Sequence, residues 1–376
     1  MATEGSAALE DTRLGLCDEF AVITGSDDAV GQCYLAENDW DMERALNAFF
    51  EAHMDSEFDD EDSLRVKDDK DLKRKLEEPG KMDNAETNNK KLKTSETVCI
   101  DLTEEEPACS SSSKAEAQED QDQDKKLSLI SWNVDGLDTL SLTERARGLC
   151  SYLALYNPDV VFLQELIPCY VQYLKKRAVS YTVIEGNEEG YFTGLMLKKS
   201  RVTLIKSEIV AYPMTQMMRN LLVAQVNFAG QQIYLMTSHL ESCKNQSVER
   251  MNQLRMVLKK ISEVPDNAAV IFGGDTNLRD EEVARVGGLP AGVCDIWESL
   301  GKPEHCRYTW DTRANSNKSV SYVSRCRFDR IFLRPAKVGP KMLPEHMTLV
   351  GQEKLDCGRY TSDHWGIYCG FTTQTS

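Results

Sequence analysis

What most constrains this chain is a series of short apolar, β-prone segments after residue 125, several of which stop on a polar residue that a strand has no need of. LSLISWN stops at Asn133, VVFLQE at Glu165, YLMTSH at His239, and VIFGGDTN at Asp275 and Asn277; the last run, WGIYCGF, follows Ser362-Asp363-His364. Between them lie YTVIEG, YFTGLML, VTLIKSEIV, NLLVAQVNF, FDRIFL and MTLVGQ, each of strand length and rich in apolar residues. Two longer stretches carry a helical stripe instead: Leu149, Tyr152, Leu153 and Tyr156, and then Met251, Leu254, Leu258 and Ile261, the second ending before Pro265. Many strands with few helices predict an α/β domain of two packed sheets flanked by helices over residues 125–376. Neither GxGxxG nor a P-loop occurs, which argues against a nucleotide-binding doubly wound sheet.

If those strand ends meet on one rim, they gather three carboxylates (Glu165, Asp275, Asp363), two amides (Asn133, Asn277) and two imidazoles (His239, His364). Such a set is too costly to bury unpaired and fits metal or phosphate chemistry. Each residue alone has a plainer reading: Asn133-Val134-Asp135-Gly136 is also a turn string, Asp275 also a helix cap, and a lone histidine is more often a hydrogen-bonded core residue. Recurrence at one strand end after another favours chemistry.

The net charge of −17 argues at first against a nucleic-acid partner. Its distribution reverses that, because residues 1–124 hold 13 basic and 35 acidic side chains while residues 125–376 hold 31 and 26. The strand-rich part is net basic, and a phosphate backbone is open to it. The 12 cysteines are scattered without a CxxC pair or zinc-finger spacing and read as reduced thiols. The start MATEGSAALED has neither the basic nor the apolar part of a signal peptide, and no apolar stretch reaches membrane-spanning length. A soluble protein of cytosol or nucleus with no membrane partner is expected.

Residues 11–53 read as three short helices, from Asp11 to Val22, Asp27 to Ala36 and Asp41 to Phe50, with Ser26 or Asp27 available as a cap and Asp41 in an acidic first turn. The string AENDWDMERALNAFFE resembles the ubiquitin-associated domain, which implies ubiquitin as a partner; the first loop, Ile23-Thr24-Gly25, departs from the Met-Gly-Phe common there. Residues 54–124 are rich in Asp, Glu, Lys, Ser and Asn without an apolar period, the composition of a disordered linker. Within it, Lys73-Arg74-Lys75 and Lys90-Lys91 with Lys93 read as a bipartite nuclear-import signal. Val98, Ile100 and Leu102, trailed by Glu104-Glu105-Glu106, resemble a SUMO-interacting motif, a segment that adds a strand to a partner's sheet edge.

In order, SWNVDGL, FLQE, TSHLE, GGDTN, RFDRIF and SDHWG resemble the exonuclease-endonuclease-phosphatase family over essentially all of residues 125–376. That resemblance implies a DNase-I-like four-layer α/β/β/α sandwich. Further strings, EEGYFTGLMLKKSRV, MMRNLL, GDTNLRD, YTWDT and LDCGRYTSDHWG, resemble the branch that hydrolyses the 5′-phosphotyrosyl bond between DNA and a trapped type II topoisomerase remnant. The resemblance implies Mg²⁺, with Mn²⁺ as a substitute, held by Glu165 with Asn133 close by. It makes Asp275 the base for the attacking water and His364 the donor to the phosphoryl oxygen, oriented by Asp329. Asn277 and His239 would bind the phosphate, and Asp363 would support the water or the metal shell. A phenolate with pKa of about 10 leaves more readily than a sugar alkoxide, so no strong general acid is needed on that side.

Candidates for gripping single-stranded or short-overhang DNA lie outside the catalytic set: Arg279 for a phosphate, Tyr191, Trp310 and Phe328 for stacking or walling the groove, then Arg219 and Ser242. Phe328 reads almost equally as a core aromatic. 5′-Tyrosyl-RNA is a further implied substrate. An apurinic-site endonuclease or 3′ exonuclease of the same fold is the alternative, because SWNVDGL suits it nearly as well. A lipid phosphatase would want a basic membrane-binding helix that the sequence lacks, and a pure ubiquitin or SUMO adaptor has no use for the catalytic set.

Overall fold

The computed structural model describes residues 4–24, 26–52 and 125–374; the linker strings at Lys73, Lys90, Val98, Ile100 and Leu102 lie outside them. Near the N-terminus, three helices form where three were expected: α1 (Glu4–Thr24), α2 (Asp28–Glu37) and α3 (Met42–Ala52). Asp27 caps α2 by accepting from the Val30 amide at 2.9 Å, and Asp41 does the same for Arg44 at 2.9 Å. Phe20, Leu35, Leu46 and Phe49 form their small core. α1 begins at Glu4 rather than Asp11, since Ala7, Ala8 and Leu9 are strong helix formers ahead of the apolar stripe.

The apolar runs of the C-terminal part become two six-stranded sheets. In spatial order the first holds β13 (Lys341–Val350), β14 (Gly366–Gln374), β1 (Lys126–Asn133), β2 (Val160–Leu166), β4 (Phe192–Lys198) and β3 (Tyr181–Glu185). The second holds β5 (Val202–Ala211), β6 (Asn220–Phe228), β7 (Gln231–Ser238), β8 (Ala269–Asp275), β12 (Asp329–Arg334) and β9 (Cys294–Asp295). A separate ribbon pairs β10 (Trp310–Asp311) with β11 (Arg325–Cys326). Pairing is antiparallel except for β1 with β2 and β7 with β8. A parallel pair needs a crossover. α4 (Leu142–Tyr156) supplies it in the first sheet and α6 (Ser247–Glu263) in the second, on the two helical stripes read from the sequence.

Alternation along the strands sends Leu129, Phe162 and Leu195 of the first sheet against Leu222, Leu235 and Ile271 of the second, all buried. Their outer faces are covered as well. Ile130, Val161 and Leu163 pack under Leu149 and Leu153 of α4 and under Tyr170 and Leu174 of α5 (Pro168–Arg177). Val223, Met236 and Phe272 pack under Leu254, Val257 and Ile261 of α6. The layers therefore run helix, sheet, sheet, helix, the four-layer sandwich expected. Each such side chain contributes roughly 1.5–3 kcal/mol by leaving water. α5 was not among the expected helices. It is short, begins on a proline and takes two of its six buried residues from Tyr170 and Tyr173, so its pattern reads as readily as strand.

Both parallel pairs end at the same rim. Close approach there depends on two glycines: a Cβ on Gly136 would lie 2.1 Å from the Glu165 carbonyl oxygen, and one on Gly274 would lie 2.1 Å from that of Ser238. Gly274 also has φ of +146°, a conformation that side chains rarely adopt.

Candidate active site

Three residues at the rim hold left-handed backbone angles: Asp135 (φ 50°), Glu165 (φ 59°) and Asn277 (φ 50°). Such angles cost about 1–3 kcal/mol each for a non-glycine residue and persist where the surroundings impose them. At Glu165 the cause is visible, since the β2–β4 register shifts between Leu163 and Leu166 and turns its side chain out of the ladder.

Asn133 joins the two sheets. Its Nδ2 donates to Asp275 Oδ2 at 2.9 Å and to Glu165 Oε1 at 3.3 Å, while its Oδ1 accepts from the Asp135 amide at 2.9 Å. The residue expected beside the metal thus enters as a donor that holds two carboxylates, and its oxygen faces the chain. Ligation through Asn133 would require its amide to turn over.

Asp275, 2 % exposed, is ringed by nitrogens. Besides Asn133, His239 Nε2 lies 3.2 Å and His364 Nε2 3.7 Å from Oδ2, while Oδ1 accepts from the Asn277 amide at 3.1 Å. Burial alone would raise its pKa, but the His364 charge and the hydrogen bonds from His239 and Asn133 outweigh burial and hold the carboxyl well below the usual range. Asp275 is therefore ionised. Opposite it, His364 Nδ1 meets Asp329 Oδ2 at 2.8 Å. Burial disfavours a charged imidazole, yet Asp329 and Asp275 raise the His364 pKa well above its ordinary value. Backbone ties fix the pair: Trp132 Nε1 donates to the His364 carbonyl at 3.0 Å, and Ser362 Oγ to that of Asn133 at 2.5 Å.

The expected DNA contacts fall into two groups. In one, Arg219 lies 4.8 Å over the Tyr191 ring and donates to Ser242 Oγ at 3.2 Å. In the other, Arg279 lies 5.1 Å over Phe328 and donates to the Asn277 carbonyl at 2.7 Å, and Phe328 is 5.8 Å from Trp310. Trp310 Nε1 in turn donates to Asp363 Oδ2 at 3.3 Å. Phe328 and Trp310 are half-buried, not core. Asn277 turns its amide to the Leu240 carbonyl and Ser242 Oγ, both at 3.3 Å, so it braces the rim as it stands.

Two residues of the site escaped the sequence reading. Asp135 is buried, and its carboxyl is pushed up to about 8 by burial and by the Asp363 and Glu165 carboxylates. Lys318 partly offsets this, its Nζ lying 2.7 Å from Asp135 Oδ2 and 2.9 Å from Asp138 Oδ2. The NVDG string carried a signal for Asp135; nothing around Lys318 pointed to it.

Two carboxylate groups could hold a cation. Donor atoms of Asp275, Asp329 and His364 all lie within 4.8 Å of one another. There, however, His364 is already paired with Asp329. Glu165, with Asp135 and Asp363 near it, offers only oxygens whose mutual repulsion is incompletely compensated, and that suits a hard divalent ion better.

Residues 130–364 match the Endonuclease/Exonuclease/phosphatase family, and residues 16–56 match a UBA-like domain. Tyrosyl-DNA phosphodiesterase 2 of Danio rerio is 67% identical over 379 residues, covering 98% of this chain and 100% of that protein. That of Homo sapiens is 52% identical over 368 residues, covering 97% and 94%. The crystal structure of D. rerio TDP2 complexed with single strand DNA product is 77% identical, with a TM-score of 0.66 over 66% of this chain and 99% of that one. That of TDP2 from C. elegans, 27% identical, gives 0.60 over 96% and 93%. Agreement between the assembled rim and relatives of nearly full length places the chain in the endonuclease/exonuclease/phosphatase family, within its tyrosyl-DNA phosphodiesterase 2 branch.

Proposed function

We propose that the chain hydrolyses the 5′-phosphotyrosyl bond between DNA and a type II topoisomerase remnant, leaving a 5′ phosphate for double-strand break repair. One observation carries the chemistry: Asp275 Oδ2 and His364 Nε2 face each other at 3.7 Å across the rim, where their neighbours favour an ionised Asp275 and a protonated His364. Asp275 accepts from the attacking water and aligns it. His364, held by Asp329, donates to a phosphoryl oxygen and stabilises the charge that develops there. A Mg²⁺ ion, or Mn²⁺ in its place, is assigned to Glu165 and would supply further positive charge to that oxygen when bound.

Tyrosine leaves as a phenolate, whose pKa of about 10 lets it depart without a strong acid. The buried Arg219 guanidinium bonds His239 and Ser242 and pairs with no carboxylate among the described residues, so its charge remains available to the leaving oxygen. Trp310 and Phe328 offer faces to unpaired bases, and Arg279 offers charge to the backbone. These contacts read shape, so little base preference is expected, and 5′-tyrosyl-RNA falls within the same chemistry. The UBA-like match supports ubiquitin as a partner of the N-terminal domain. SUMO binding and a nuclear location rest on the linker strings.

The test is to offer the full chain a 5′-phosphotyrosyl oligonucleotide, a 3′-phosphotyrosyl oligonucleotide and an abasic duplex, with Mg²⁺ and with EDTA. Tyrosine release from the 5′ substrate alone, requiring Mg²⁺, is the expected result. Nicking of the abasic duplex with the 5′ substrate intact would transfer the assignment to the apurinic endonucleases.

A further inference from the structure

The rim holds two histidines, and their Nδ1 atoms face opposite kinds of partner. His364 Nδ1 lies 2.8 Å from the Asp329 carboxylate, an acceptor only, so it carries a proton. His239 Nδ1 lies 2.8 Å from Arg219 Nη1. A guanidinium only donates and does not give up its proton in a protein. A proton on His239 Nδ1 would set donor against donor at that distance, which excludes both the Nδ1–H tautomer and the imidazolium. The remaining form has a bare Nδ1 and a proton on Nε2, the atom 3.2 Å from Asp275 Oδ2.

We infer that Arg219 is a positioning residue that fixes His239 as its Nε2–H tautomer, so that His239 serves Asp275 as a donor and cannot act as a base. Arg219 is well placed for this. It is 7 % exposed, its guanidinium is held by Ser242 and the Tyr191 ring, and its amide donates to Thr215 Oγ1 at 3.0 Å. The consequence lies on Asp275. With Asn133 and His239 both donating to Oδ2, and the Asn277 amide donating to Oδ1, the carboxylate plane is held against rotation, which leaves its remaining lone pairs to accept from the attacking water of the proposed reaction. If His239 presented a bare Nε2, two acceptors would face each other and Asp275 would turn away.

Tautomers are read directly by long-range ¹H–¹⁵N spectra of the full chain labelled at its 5 histidines, with His239→Gln supplying the assignment. No substrate is present, so the reading is independent of the proposed activity. Wild type should show a protonated Nε2 and a bare Nδ1 for His239, and a protonated Nδ1 for His364. Arg219→Lys keeps a donor and should keep the pattern; Arg219→Met should convert His239 to exchanging tautomers while leaving His364 unchanged, which also shows that the variant is folded. A protonated Nδ1 on His239 in wild type, or an unaltered His239 in Arg219→Met, overturns the inference. The kinetic arm rests on the proposed phosphodiesterase activity. Arg219→Met should lower kcat by roughly tenfold or more, as loss of an orienting partner does, and Arg219→Lys should recover most of it. In a His239→Gln background the same substitution should cost kcat less than it does in wild type, because no tautomer remains to set. An equal further loss of kcat there would assign Arg219 to substrate binding alone.

Discussion

Replacing Asp329 by Asn removes one charge and little else. The amide oxygen can still accept from His364 Nδ1, where the carboxylate now lies at 2.8 Å. With about 4 Å between charge centres and an effective dielectric of about 20, the attraction lost by an imidazolium is about 4 kcal/mol. Since about 1.4 kcal/mol is a factor of ten in rate, its full loss corresponds to about three powers of ten. Removing one preorganised oxyanion donor costs about 10²–10³ in kcat. The two figures agree, and a fall of that size is expected at neutral pH. The direction of the pH effect follows from the raised pKa of His364. In wild type the imidazolium persists above the usual histidine range, and the rate falls only on the alkaline side; in Asp329→Asn that fall moves to lower pH. The raised value also stabilises the fold below the unfolded histidine value of about 6.5. That stabilisation is lost as pH rises through the folded value, and the variant should lack it. The assay is kcat against pH on a 5′-phosphotyrosyl oligonucleotide, with Tm against pH alongside. A variant within threefold of wild type, with the alkaline limb unmoved, would refute the argument that Asp329 keeps His364 charged.

Other substitutions probe separate parts of the account. Glu165→Gln should abolish Mg²⁺ binding by titration calorimetry and metal-dependent turnover with it; retained binding would move the ion to Asp275 and Asp329. Gly136→Ala drives a Cβ to 2.1 Å from the Glu165 carbonyl oxygen, so a loss of about 1–3 kcal/mol or more and a lower Tm are expected; an unchanged melt would mean the turn relaxes freely. Trp310→Ala should raise KM for single-stranded substrate roughly ten- to hundredfold, the worth of about 1–3 kcal/mol of base stacking, with kcat nearly kept. For Asp135, whose carboxyl is raised to about 8, metal-free wild type should lose stability as pH climbs from about 4, its unfolded value, towards 8. Asp135→Asn should flatten that decline in thermal melts; an identical slope would show that Lys318 already neutralises the group.

Much of this site was legible because strands have period 2 and fixed ends. Once LSLISWN, VVFLQE, YLMTSH and VIFGGD are strands, Asn133, Glu165, His239 and Asp275 can only lie at their tips. The sequence could not show which atom of each residue faces which neighbour. Asn133 was expected as a companion of the metal and proves to be a donor between carboxylates. Arg219 was expected as a DNA contact and lies against His239, 20 residues away in sequence, across the β6–β7 pairing. Lys318 reaches Asp135 over a separation of 183 residues, from a loop without periodicity, and no local pattern encodes such a pairing. α5 was missed for a different reason, since Tyr170 and Tyr173 satisfy strand and helix propensities alike.

The strand tips act together as one hydrolytic centre for a 5′-phosphotyrosyl bond in the function proposed. Single-turnover cleavage of a 5′-tyrosyl oligonucleotide by the full chain in ¹⁸O-water tests it most directly. The expected result is one ¹⁸O in the 5′ phosphate of the DNA, unlabelled tyrosine, and a rate that collapses in Asp275→Asn. Label in the tyrosine, or a rate that Asp275→Asn leaves intact, would contradict the claim.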